Sequence, residues 1–175
     1  MAKKVAKVTE PIVVVHATST KWVEPDLPDK DPVPQTLDAF LQKTDGSIDD
    51  PRDVSCYFVS GHLDLSPEEF LQFYVPRILE GMALGGTFIV GDAIGCDERT
   101  QRLFKAAGLL DRLTVYHMKE RPRVYVGEPA CLLGGFRNDD HRDTAMTEAS
   151  THDIAWVRQG REKSGTARNL ARRIS

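Results

Sequence analysis

Three short stretches hold the residues whose types and spacing could do chemistry. They are Ser60-Gly61-His62, the loop from Gly91 to Asp97, and the loop from Gly160 to Thr166. The second reads Gly-Asp-Ala-Ile-Gly-Cys-Asp and the third Gly-Arg-Glu-Lys-Ser-Gly-Thr, and each leads into a helical run. Glycine at such places lets the backbone turn tightly and come close to a ligand. A helix that starts straight after the turn presents free N–H groups and the positive end of its dipole, a setting suited to phosphate. Ser164 or Thr166 can add a hydroxyl, and Arg161 and Lys163 can add charge. The candidate ligand-binding residues are therefore Ser60, Gly61, His62, Gly91, Asp92, Gly95, Asp97, Gly160, Ser164, Gly165 and Thr166. Each loop also has a purely structural reading. Asp97 and Glu98 complement a helix dipole, Ser164 fits an N-cap, and His62 could hydrogen-bond its own loop rather than move a proton.

These loops need elements to position them. Ser55–Ser60, Thr87–Val90, Leu113–Tyr116 and Asp153–Val157 are short β-forming runs. Between them, Ser66-Pro67-Glu68-Glu69 is a helix start with a cap, a first-turn proline and a capping box. Phe70, Phe73, Tyr74, Ile78 and Met82 follow at helical spacing, and Pro76 should kink or split that helix. Asp97–Ala107, closed by Gly108, predicts a second helix; Asp139–Ala149 and Gly165–Arg173 predict two more. Residues 118–137 read as irregular, with Arg123–Val126 available for pairing. Strands alternating with helices predict an α/β fold, a Rossmann-like three-layer sandwich with a mostly parallel sheet of about five strands. Such sheets bind ligands at the carboxyl ends of their strands, where all three loops would lie. Residues 53–175 are expected to form this domain. Residues 1–52 read as an extension packed on it, with a strand at Pro11–His16, a proline-rich stretch at 24–34, a short helix at Thr36–Lys43 and a turn at Asp45-Gly46-Ser47.

Composition narrows the classes. The 175 residues are 41% hydrophobic and 28% charged, the balance of a soluble globular domain. No apolar run approaches the ~20 residues that span a bilayer, so no membrane association is expected. The basic residues near Met1 are not followed by the apolar stretch of a secretory signal. A net charge of −3 argues against nucleic acid as a partner. Cys56, Cys96 and Cys131 form no Cys-x-x-Cys pair, so neither a disulfide framework nor a zinc ribbon is expected, and a reducing, cytoplasmic setting fits. The five histidines show no local ligand spacing; His141 with Asp140 and Asp143 is the one polar cluster, and no metal or other cofactor is expected. The chain has no complete Gly-x-Gly-x-x-Gly and no Gly-x-x-x-x-Gly-Lys-Ser/Thr, which disfavours an NAD-dependent dehydrogenase and a P-loop NTPase. Arg172 and Arg173 read as structural cations, and Trp22 and Trp156 as core.

In order along the chain, Ser60-Gly61, Val90 to Arg99, Arg142 to Met146, Asp153 to Val157 and Gly160 to Thr166 resemble the SLOG superfamily. That Rossmann-like group contains DprA-type proteins and the "lonely guy" phosphoribohydrolases, and this chain is most similar to its YspA/cpYpsA-type branch. The resemblance spans roughly residues 55–173. It implies a nucleotide-derived small-molecule ligand, with Gly91, Asp92, Gly95 and Asp97 as one wall, Gly160, Ser164, Gly165 and Thr166 on a phosphate, and Arg142 pointing in. The function it implies is binding, as a sensor or binding module; the alternative is an N-glycosidase of the phosphoribohydrolase type acting on a nucleoside monophosphate. In the phosphoribohydrolase branch a glutamate in the last loop takes part in the cleavage. Asn169 stands at its position here, and an amide is neither acid nor base near neutral pH. Asp92, Asp97 and His62 are the nearest substitutes. Asp143 replaces the asparagine of the family's Arg-Asn pair, although Arg137-Asn138 lies just upstream. Single-stranded DNA binding, as in DprA-type relatives, is a weaker reading, and a homodimer is left open.

Overall fold

Ser66 starts the first helix as its sequence demands. Its hydroxyl accepts the Glu69 N–H at 3.2 Å, and the Glu69 carboxylate accepts the Ser66 N–H at 2.9 Å. Such a cap contributes about 1 kcal/mol. Helix α1 runs Pro67–Phe73 and α2 runs Val75–Ala83, so the chain splits at Tyr74, just ahead of Pro76. The computed structural model describes residues 55–174 apart from Glu128 and Ala130. The readings made for the extension at 1–52, including Trp22, lie outside the described residues.

Five strands form one sheet: β1 (Cys56–Ser60), β2 (Thr87–Val90), β3 (Leu113–Tyr116), β4 (Cys131–Leu133) and β5 (His152–Ala155). Their order is β4-β3-β2-β1-β5 and every neighbouring pair is parallel. The remaining helices are α3 (Cys96–Ala106), α4 (Asp139–Ala149) and α5 (Gly165–Ile174), with a 3₁₀ turn at Leu110–Arg112. Alternation along the strands makes two apolar layers. Val59, Val90, Val115 and Ile154 pack with Phe70, Tyr74, Ile78, Leu103 and Phe104 of the α1–α3 side. Phe58, Ile89 and Tyr116 pack with Met146 of α4 on the other. This is the Rossmann-like α/β sandwich expected. No helix among the described residues is long and apolar enough to cross a membrane.

Several boundaries differ from the sequence reading. Strand β4 lies inside the stretch read as irregular, with Thr114, Val115 and Tyr116 opposite Cys131, Leu132 and Leu133. Three residues are too few to show alternation. Strand β5 begins at His152 and ends at Ala155 rather than running to Val157. It ends there because the Trp156 N–H leaves the ladder for the Tyr74 hydroxyl, 3.1 Å away. Helix α3 begins at Cys96, one residue early.

From β1 the chain passes to β2 on one side, while β5 fills the other side. The strand order therefore reverses at β1, and in open α/β sheets that reversal opens a crevice at the carboxyl ends.

Candidate functional site

Because the sheet is parallel, the loops after β1, β2 and β5 all emerge at one edge. The β1 and β5 ends are joined there by Tyr74. Its buried hydroxyl accepts the Trp156 N–H and faces the carbonyls of Ser60 at 3.1 Å and Trp156 at 3.3 Å. Burial pushes this phenol well above its ordinary pKa, so it stays a neutral donor. Gly61 makes the arrangement possible. A Cβ there would sit 2.5 Å from the Tyr74 oxygen and 2.6 Å from Cys96 Cβ. The glycine is required by the protein's own packing, whatever a ligand needs.

The loop after β2 carries two buried carboxyls in contrasting states. Asp92 is fully buried, and its Oδ1 takes hydrogen bonds from Arg123 at 2.7 Å and Arg142 at 2.9 Å. Its Oδ2 takes the Arg123 backbone N–H at 2.9 Å. Burial alone would raise its pKa; the hydrogen bonds and charge of Arg123, with Arg142 behind, outweigh that and hold it below the ordinary carboxylate value. Among the described residues, the Ala93 N–H at 3.0 Å is the direct donor to Asp97 Oδ2. Burial raises it to about 7, with that hydrogen bond and the Arg142 charge pulling partly back. Gly91 gives it room, since a Cβ there would lie 2.4 Å from Asp97 Oδ2. Gly95 turns the chain into α3 with a positive φ of 80°.

Arg142 enters this cluster from α4. Its guanidinium is occupied by protein, with Asp92 at 2.9 Å, Asp143 at 2.9 Å and Asp139 at 3.1 Å. It is a buried cation within a ring of carboxylates.

The loop after β5 is built differently. His62 is buried, and its Nε2 accepts the Arg158 backbone N–H at 3.0 Å. The Arg158 guanidinium grips Glu69 at 2.9 and 2.7 Å and Asp64 at 3.0 Å. Arg161 also reaches Asp64, at 3.0 Å. Gly160 has a positive φ of 81° and gives its N–H to Glu162 at 2.8 Å. The Ser164 hydroxyl accepts the Ala167 N–H at 3.2 Å, which makes it the N-cap of α5. Gly165 opens that helix, and Thr166 and Asn169 are buried in it. At its far end, Arg173 pairs with Asp153 at 2.7 Å and caps the end of α4 through Thr147 O at 2.8 Å.

The structure thus joins Gly91, Asp92, Asp97 and Arg142 in one network. Ser60, Gly61 and His62 join the β5 loop through Tyr74 and Arg158. Among the described residues three buried side-chain polar atoms have no hydrogen-bond partner: Ser60 Oγ, His117 Nδ1 and Trp156 Nε1. Ser60 ends β1, His117 follows β3 and Trp156 follows β5. All three therefore sit at the carboxyl edge. Leaving such a group unpaired costs about 1–3 kcal/mol.

Comparison with known protein families, curated proteins and solved structures gives no match.

Sequence reasoning missed Arg123, the Tyr74 hydroxyl, the Glu69–Arg158 pair and His117. Arg123 had a partial signal, since 123–126 was marked for pairing. The partner is the 91–97 loop rather than a strand, with Val124 N–H bonded to Asp92 O at 3.1 Å. Glu69 already had a visible role in the capping box, which hid its second one. No group of three or more His, Cys, Asp and Glu side chains among the described residues is placed to hold a metal.

Proposed function

We propose that this protein binds a small nucleotide-derived ligand at the carboxyl edge of its sheet, as a sensor or binding module. The observation that carries this reading is the set of unpaired buried atoms at Ser60, His117 and Trp156, all on one edge. A ligand with polar atoms at that edge would complete their hydrogen bonds. The reversal of strand order at β1 supports the same edge. The start of α5, where Thr166 follows the Ser164 cap, supports a phosphate on the ligand. The resemblance to SLOG proteins supports its nucleotide part. Three free cysteines fit a cytoplasmic setting.

The test is thermal-shift screening against nucleoside monophosphates, NAD, ADP-ribose and inorganic phosphate, with chromatography of each mixture. One compound should raise Tm and stay intact, and Ser60→Ala should reduce that rise. No shift with any compound overturns the reading.

One observation favours cleavage of an N-glycosidic bond as a second reading. Asp92 is held ionised while Asp97 keeps its proton to about pH 7. Carboxyls whose environments drive their proton affinities apart are suited to acid and base roles. Release of free base by the wild type, lost in Asp97→Asn with binding retained, would favour this reading over the first.

A further inference from the structure

We propose that His62 is the positioning residue of the loop at 157–164, and that protonating it unlatches this loop together with the first turn of α5. The latch is the 3.0 Å hydrogen bond from the Arg158 backbone N–H to His62 Nε2. A ring nitrogen that accepts carries no proton, so the imidazole is neutral with its hydrogen on Nδ1. His62 is 6% exposed, and its ring stands edge-on to Trp156, 5.9 Å between centroids.

A second proton would set N–H against N–H at Nε2. It would also add a cation beside Arg158 and Arg161. The acids that face the ring are Asp64 on its own loop and Glu69 on α1, and both are already paired with those arginines. Burial, and then the Arg158 charge, lower the imidazole's pKa below 6.5, while Asp64 and Glu69 pull against them. The latch is therefore closed at neutral pH.

Its release has a path into the helix. Arg161 N–H bonds to Arg158 O at 3.0 Å, Ser164 N–H to Arg161 O at 2.9 Å, and Arg168 N–H to Ser164 O at 3.1 Å. These successive turns link the latched amide to the N-cap of α5.

The experiment uses the full chain with Trp22→Phe, so that Trp156 is the sole indole. Trp156 fluorescence is followed from pH 8 to pH 5, because a protonated imidazole quenches a neighbouring indole. Amide hydrogen exchange at Arg158 and Ser164 is followed over the same range. A single fluorescence step with a midpoint below 6.5 is expected. One pH unit below it, when about nine rings in ten are protonated, exchange at both amides should be roughly tenfold faster relative to amides of β3. His62→Gln keeps an acceptor without titrating, and both changes should vanish in it. A step that persists in His62→Gln overturns the proposal, as does a step with no change at Arg158 and Ser164. Imidazole ¹⁵N shifts in the chain with His62 intact report the same midpoint whether or not the glutamine variant folds. The latch stands or falls on these readouts alone; the ligand screen judges the binding reading separately.

Discussion

The loops after β2 and β5 enter the same edge of one sheet and handle charge in opposite ways. In the first, Asp92 and Arg142 are buried, and each holds the other in place with Arg123, Asp139 and Asp143 around them. In the second, Asp64 and Arg161 are exposed, Arg158 and Glu69 are partly buried, and the neutral His62 imidazole accepts a backbone N–H. The first is stiff because breaking the Asp92–Arg142 pair leaves an unmatched charge in a low dielectric. The second is more adjustable because solvent can replace its exposed Asp64 pairs at small cost. The proposed binding edge would then have one rigid wall and one yielding wall.

The largest expected effect tests the stiff side. Asp92→Ala removes the shared acceptor of Arg123 and Arg142 and should lower stability by about 3–5 kcal/mol in urea unfolding. Next comes pH. Asp97 binds its proton more tightly folded, at about 7, than the ordinary value of 3.8. Its contribution is fully present below pH 4 and is lost as pH rises to 7, by about 1.4 kcal/mol for each tenfold gap in proton affinity. Asp97→Asn keeps the acceptor for Ala93 and should remove this slope, so its stability relative to wild type should rise between urea series at pH 5 and pH 8. Tyr74→Phe tests the joint between the two strand ends. It leaves the Trp156 N–H buried without an acceptor and should cost about 1–3 kcal/mol. The smallest effect belongs to the yielding side: Arg161→Ala should leave Tm unchanged within error, because the Asp64 pair is exposed. A large loss there would erase the contrast.

Much of the fold was legible because its signals are local. The capping box at Ser66, the break before Pro76 and the bounds of α4 depend on residues within a turn of one another. Strand β4 was not legible, because three residues carry no period and both faces of it stay exposed. At the site, the three loops were readable from glycine, serine and helix-start patterns. Their partners were not. Tyr74 fits the core spacing of a helix, and nothing near it indicates that its hydroxyl serves Trp156, 82 positions away. Arg123 meets Asp92 across 31 positions, and Arg158 meets Glu69 across 89. Charge pairing at such separations is decided by topology, which a linear pattern does not encode. Arg142 is the instructive middle case: its place was foreseen, and its occupation by three aspartates was not.

Strand β1 lies between β2 and β5, and its contact with the β5 side begins at Thr151, 95 residues beyond Cys56. A chain emerging from the ribosome therefore forms β1 early and pairs one side with β2, while the other side waits for most of the domain to be made. Through that interval a strand with Phe58 and Val59 at its centre presents an open edge. Such an edge is a template for any other strand it meets. Docking of β5 closes that edge, so crowded expression is expected to favour aggregation before β5 is in place.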